Sequence, residues 1–445
     1  MPREQHANNH EVVMRSVADK VVLFFLFGWP LIDVINGAVV YYGYDIGSVS
    51  AAYKTLFFLV LMLFLIVRSV GEKQTQKISL FLSAIVLCVL YHHVSSGVNT
   101  ESISWAVRAL LAISIYFYFL RDNSYGLRKY LYLYLPVWYL LVAGFNVVLG
   151  NIGIGEPQYS NGVGGKGFFI AGNELSFFLL ASISILMLAI VNKLKYPGLT
   201  LLTFVASVIF TLQGTKTTLA GFLCIVSFIS IYLYIKPLRI FKGAGLVGVA
   251  LLAVVMAMKA PDWMGDLTVS ENPSDSSSIS VAEAEIADAS VVEQKPKPTV
   301  LDRWQHFAKE KGIAFLILSG RSEFWDKAYD EKVRHFSPLD HVLGIGGEAF
   351  DIHRIEMDPL DIFVVYGILG LFVFYFLMYR MFYCSFRILR YSPMEGSLLL
   401  AVSLLFLLVS IVAGHVVNSG VSSSVLAIAA LYYEKRRNES VMVSV

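Results

Sequence analysis

Residues 21–40 read VVLFFLFGWPLIDVINGAVV, an apolar run with no small-residue cleavage site after it. A helix needs roughly 17–25 predominantly apolar residues to cross the hydrocarbon core of a bilayer. This run is long enough, and the polar stretch before it carries Arg3, Arg15 and Lys20. It reads as a first spanning helix with a cytoplasmic N-terminus rather than a cleaved signal. The same reading repeats along the chain at 52–70, 78–95, 104–121, 130–149, 169–191, 199–213, 218–235, 245–259, 360–379, 397–414 and 420–433. The expected fold class is all-α: a polytopic membrane protein with about 12 transmembrane helices.

Composition agrees. Of 445 residues, 56% are hydrophobic and only 15% charged, too few to cover a water-soluble surface. Aromatic residues reach 14%, as belts of Tyr and Trp at membrane interfaces require. The net charge of +2 gives no bulk attraction to nucleic acid. Cys88 and Cys224 lie in apolar runs and Cys384 in a basic connection, and all three read as small buried residues.

The connections fix sidedness. Alternate ones are basic: Lys73 and Lys77; Arg121, Arg128 and Lys129; Lys193 and Lys195; Lys236, Arg239 and Lys242; Arg380, Arg387 and Arg390. Between them, 41–51 and 96–103 hold no Lys or Arg. Positive charge stays on the cytoplasmic side, which places both termini there. The chain thus divides into a cytoplasmic N-terminus at 1–20, nine spans over 21–259, an extracytoplasmic (periplasmic) loop at 260–358, three spans over 359–433 and a cytoplasmic tail at 434–445. Within the loop, 265–300 is acidic and Ser-rich and reads as a flexible solvated segment. Residues 301–358 set Trp304, Phe307, Phe315, Phe324, Trp325, Tyr329 and Phe336 among charges, as short amphipathic helices at a membrane surface would.

Ionisable residues near membrane depth are where function is sought. Lys216 lies in the tight outer hairpin Gln213-Gly-Thr-Lys-Thr-Thr218, against the positive-inside bias, beside hydroxyls of Thr215 and Thr217 that suit an anion. The plain alternative is a snorkelling lysine. Arg321 opens an amphipathic stretch, and its planar fork of donors matches phosphate; a surface salt bridge with Glu323 or Asp326 is the plain reading. Glu348, Asp351, Glu356, Asp358 and Asp361 crowd the start of the tenth span. Asp358 before Pro359 suits a helix N-cap, but the cluster exceeds what a cap needs, and one member can serve as general base. Arg108 lies inside a span and requires a partner or an aqueous cavity. Asn173 and Glu174 open the sixth span and can face the same cavity. His92, His93, His353 and His415 lie near outer helix ends with no metal-ligand spacing, and read first as buried or interfacial histidines.

The order and sidedness of these features resemble the O-antigen polymerase and O-antigen ligase superfamily, bacterial envelope glycosyltransferases of the GT-C type. The likeness rests on Ala-Gly-Asn-Glu-Leu at 171–175, Gly-Thr-Lys-Thr at 214–217, Gly-Arg-Ser-Glu-Phe-Trp at 320–325 and Glu356-Met-Asp-Pro-Leu-Asp through Gly370. The family commonly has an arginine in the hairpin where this chain has Lys216, and a second loop arginine that matches Arg321. Many ligases have a histidine-asparagine pair about eleven residues before the glycine matching Gly367; here that position is Glu356, with His353 three residues earlier.

The resemblance implies a metal- and cofactor-independent inverting glycosyl transfer. The substrate would be an oligosaccharide on undecaprenyl pyrophosphate, with its lipid among the spanning helices and membrane lipids around it. Lys216 and Arg321 would hold the pyrophosphate, with Thr215, Thr217, Asn173, Glu174 and His353 around the substrate. Glu356 or Asp358 would take the acceptor proton. The cell inner membrane is the implied location, with room for a chain-length regulator as a partner. The acidic replacement tilts the expectation from ligase to polymerase. A transporter or flippase of lipid-linked oligosaccharide is the rival from another class; it should carry charge along a path to both sides.

Overall fold

The computed structural model describes residues 2–44, 48–69, 73–96, 100–120, 125–158, 164–191, 196–234, 244–255, 309, 321–351, 355–414 and 416–443. The acidic segment 265–300, Trp304, Phe307, Phe315, His353 and His415 lie outside the described residues.

In hydrocarbon a helix meets its own backbone hydrogen-bonding demand, so apolar runs become helices. In chain order these are α1 (Pro2–Tyr41), α2 (Val49–Ser69), α3 (Lys73–Ser96), α4 (Thr100–Phe119), α5 (Tyr125–Lys129), α6 (Leu135–Asn151), α7 (Gly172–Ile190), α8 (Tyr196–Gln213) and α9 (Lys216–Tyr234). A π turn, Tyr130–Tyr134, joins α5 to α6. Then come α10 (Ala244–Val255), α11 (Arg321–Glu331), α12 (Pro338–Leu343), α13 (Asp358–Phe374), α14 (Phe376–Leu389), α15 (Pro393–Ala413) and α16 (Ser423–Val443). The strands among the described residues are two short ones, Glu156–Pro157 and Gly165–Gly167, paired antiparallel. The chain is an all-α polytopic membrane protein.

Eight helical segments among the described residues are long and apolar enough to cross a membrane. They fall on the first, second, fourth, fifth, sixth, eighth, tenth and eleventh expected spans. The third, seventh and ninth fall on shorter apolar helices, Ser79–Val94, Pro197–Gln213 and Ala244–Val255. The last expected span, 420–433, falls on α16.

Burial separates centre from rim. In α7 and α4, 83% and 78% of the apolar window is buried inside the protein, against 28% in α2, whose surface faces outward. From Ser423 to Glu434, α16 is buried as well. In lipid, packing and interhelical hydrogen bonds replace the hydrophobic drive between helices, each bond worth about 0.6 kcal/mol on average. Here Tyr139 donates to Leu26 O (3.1 Å), Tyr432 to Leu188 O (2.8 Å), Tyr433 to Leu399 O (2.8 Å) and Trp29 to Gly420 O (2.9 Å).

Two expectations are corrected. Arg380 and Arg387 lie on a helix rather than in a connecting loop: α14 continues to Leu389, with Cys384 buried on it. Arg380 is tolerated there because it bonds Tyr116 Oη (3.2 Å) and Glu434 Oε1 (2.9 Å). Cys224 is exposed on the outward face of α9 rather than buried.

The tenth span is also broken. Gly367 has φ +62, and a side chain there would meet the backbone of Val342 at 2.4 Å. The break frees carbonyls, and Ile345 N donates to Val364 O at 3.0 Å. On the other side His92 Nε2 bonds Leu343 O at 2.9 Å, so this histidine is buried and paired. Chain 342–345 is thereby locked between α3 and α13, which carries the loop residues before Asp358 onto the end of the bundle.

Candidate active site

The α8–α9 hairpin is tied down by side chains. Gln213 Oε1 accepts from the hydroxyls of Thr215 and Thr218, each at 2.7 Å. Gln213 Nε2 donates to Ser176 Oγ (2.9 Å) and to Gly172 O (3.3 Å), and Ser176 and Thr215 hydroxyls lie 2.9 Å apart. Gln213, Thr215, Thr218 and Ser176 are all buried, so this closed polar network rigidly docks the hairpin on the first turn of α7. Thr215 is therefore a strut of the hairpin. Lys216 is the first residue of α9, and its side chain lies outside the described structure. Thr217 follows it, half-buried.

The same turn of α7 reaches the loop. Asn173 Nδ2 donates to Ala413 O at 3.2 Å, at the end of α15. The next residue, Gly414, has φ +63, and a Cβ there would lie 2.3 Å from Glu356 O. Only glycine lets the Glu356 backbone pass this close. Glu356 itself has φ +60 and is the one non-glycine residue with positive φ among the described residues. Such a conformation costs of order 1–3 kcal/mol and persists only where the surroundings hold it.

Those surroundings are specific. Asp361 Oδ1 accepts from Ile355 N at 3.1 Å, just ahead of Glu356. Asp358, fully buried, accepts at Oδ2 from Val416 N (2.6 Å), Val417 N (3.0 Å) and Ser410 Oγ (3.0 Å). The N-cap position belongs to Met357, which makes no side-chain cap; Asp358 is the first helical residue and its carboxylate instead bonds the turn after α15. The two aspartates brace the chain before and after Glu356. The side chain of Glu356 is then 41% exposed, while its partner Arg321 is 8% exposed, with Nη2 donating to Glu356 Oε2 at 3.0 Å. Arg321 opens α11, so a helix N-terminus lies beside this carboxylate. The crowded carboxylates are otherwise dispersed: Glu348 faces Lys332 at 3.8 Å. Among the described residues no group of His, Cys, Asp and Glu gathers as metal ligands would.

On the other side of the first turn of α7 is a cavity of about 380 Å³. Asp33, Lys54, Arg108 and Glu174 line it. Lys54 Nζ bonds Asp33 Oδ1 at 2.5 Å and lies 5.3 Å from the Trp29 ring centroid. Arg108, the in-span arginine, thus has its cavity, with Glu174 on the wall.

The sequence of residues 16–433 matches the model of the O-antigen ligase like membrane protein family. The chain belongs to this family. No curated protein matches it. Membership makes it a multi-pass membrane protein of O-antigen or related polysaccharide assembly. Within this ligase-like fold, Arg321, Glu356, Asp358, Asn173 and Thr215 are joined by one continuous path of contacts through α7 and Gly414, whereas Glu174 turns to the cavity. Sequence reasoning passed over Asp33 and Lys54. The signal was present, since both are charged residues inside expected spans.

Proposed function

We propose that this family member is a polysaccharide polymerase. It would join oligosaccharide repeat units carried on undecaprenyl pyrophosphate at the outer face of the inner membrane, both termini lying in the cytoplasm. The Arg321–Glu356 pair carries this reading: a buried guanidinium and a half-exposed carboxylate on a strained, braced backbone. Glu356 accepts the proton of the acceptor hydroxyl as the acceptor oxygen bonds the anomeric carbon. The bond from that carbon to the pyrophosphate oxygen breaks on the opposite face, inverting the centre, and the pyrophosphate leaves with the electron pair. Arg321 and Lys216 stabilise the charge on the leaving group. A guanidinium has five N–H donors, so Arg321 can hold Glu356 and a pyrophosphate oxygen together. Between the two carboxylates, the half-exposed Glu356 is the base and the buried Asp358, whose Oδ2 takes three hydrogen bonds, the brace.

A ligase that passes a finished chain to a lipid A core or other acceptor is the second reading, favoured by the family's description. The envelope polysaccharide profile of a strain lacking the gene, complemented with wild type or Glu356→Gln, separates them. Single repeat units in the uncomplemented and Glu356→Gln strains support the polymerase. Long chains left on the lipid carrier support the ligase. A normal profile in both strains overturns both, and the flippase reading predicts repeat units trapped on the cytoplasmic side.

A further inference from the structure

The cavity beside Glu174 is outside the Arg321–Glu356 pair and has a composition of its own. Two carboxylates, Asp33 and Glu174, and two cations, Lys54 and Arg108, share its wall with the Asn36 amide. The cations are close together: a Cβ at Gly420 would lie 3.1 Å from Lys54 Nζ and 3.3 Å from Arg108 Nε. Lys54 is committed to Asp33, which also takes the Ser50 hydroxyl. Arg108 has one long protein hydrogen bond among the described residues, to Asn418 O at 3.4 Å. Its remaining N–H groups want acceptors. Asp33 Oδ2 has no hydrogen-bond partner among the described residues and wants a donor.

A pyrophosphate supplies acceptors only and would meet two carboxylates along with the two cations. Sugar hydroxyls both donate and accept. Phe169 and Val421 add apolar wall for the C–H face of a ring. We propose that this cavity is a saccharide subsite that takes a neutral sugar ring of the substrate glycan. The proposal rests on the glycosyl-transfer reading above. It places the ring on the far side of the first turn of α7 from the segment that packs on Glu356: Asn173 bonds the chain just before Gly414, and Glu174, its neighbour, lines the cavity.

Saturation-transfer NMR on the full-length protein in nanodiscs tests it, with neutral methyl glycosides of hexoses and N-acetylhexosamines as probes and inorganic pyrophosphate as competitor. Ser104→Phe fills the cavity from α4, and Arg108→Gln removes the cation while keeping N–H donors. Transfer to a glycoside on wild type and on Arg321→Gln, at least ten-fold weaker in Arg108→Gln and lost in Ser104→Phe, with pyrophosphate not displacing it, is the expected result. No transfer on wild type, or equal transfer in Arg108→Gln, overturns the subsite. So does displacement by pyrophosphate, which would make the cavity an anion site. Because the probe is glycoside binding, a normal envelope profile in both the strain lacking the gene and the Glu356→Gln strain would overturn the polymerase reading without touching this result.

Discussion

Two buried clusters of charge sit at opposite ends of α4, and they are built differently. At one end Glu434, 2% exposed, accepts at Oε1 from Tyr116 (2.7 Å) and Arg380 Nε (2.9 Å), while Oε2 lies 2.9 Å from Arg437 Nη2. Next to it Arg436 donates to Glu395 at 2.8 Å. The cavity there is about 70 Å³, room for a few waters at most. About eight residues, or about 12 Å, back along α4 from Tyr116, Arg108 lines a cavity of about 380 Å³ with one long hydrogen bond among the described residues. Beyond it, Glu356 is held by Arg321 yet keeps an exposed carboxylate. Charge that serves the fold closes on itself. Charge at the other end leaves donors, acceptors and space for something else. A transporter would need the open kind at both ends, so the contrast favours chemistry at one face.

The sharpest break of this comparison is Glu356→Gln. It removes the base while preserving shape, and a positioned general base contributes about 10²–10⁴-fold. Polymer formation in an assay with purified protein should fall by that factor, while the melting temperature in detergent stays near that of wild type. A parallel loss of folded protein would place Glu356 with the structural charges. Arg321→Lys keeps the charge and loses the fork; removing one preorganised electrostatic donor costs about 10²–10³-fold. Wild-type activity in that variant would leave Arg321 as a structural partner of Glu356 only. Lys216→Ala should likewise insert normally and abolish polymer; normal polymer length and amount would remove the hairpin from the site.

The opposite cluster should respond the other way. Glu434→Ala leaves the half-buried Arg380 and Arg437 without the carboxylate they share, at a cost of up to about 3 kcal/mol, the lower end for a broken buried pair. Yield of folded protein and melting temperature should drop, with activity lost only in proportion to the folded fraction. A variant that folds normally but makes no polymer would erase the distinction drawn here.

Hydropathy made the bundle legible, because a bilayer demands long apolar helices whatever their partners. It could not show that α13 breaks at Gly367, since the break is paid back by chain 342–345, over twenty residues away. Basic residues at 380–390 read as a connection because a lone sequence hides the Glu434 that neutralises Arg380. The site was legible where charge defied its surroundings, as at Arg108, Glu174 and Arg321. The difference in setting between Glu356 and Asp358 was not. It depends on Gly414, Val416 and Val417, small and apolar residues whose backbone makes the contacts. Asp33 and Lys54 carried the same signal, as charged residues inside expected spans, but their pairing across α1 and α2 was not legible.

The smallest expected effect is at α12, which packs against α13 and α3 without belonging to either cluster. Asp340 closes a capping box with Ser337 and accepts from Tyr91 Oη at 2.7 Å. Burial alone would raise its carboxyl pKa, but the hydrogen bonds from Tyr91 and Ser337 outweigh it and hold the group below its ordinary value. A depressed folded-state pKa contributes stability that is present above the unfolded value and is lost as pH falls through the folded one. Amide exchange in 338–343 should therefore stay slow on acidification through the usual carboxylate range and quicken only below it. Tyr91→Phe removes one donor and should move that transition to higher pH, with polymer formation at neutral pH unchanged. An unmoved transition would mean that the capping box alone holds Asp340, and that α12 is fastened to α3 by the His92–Leu343 bond instead.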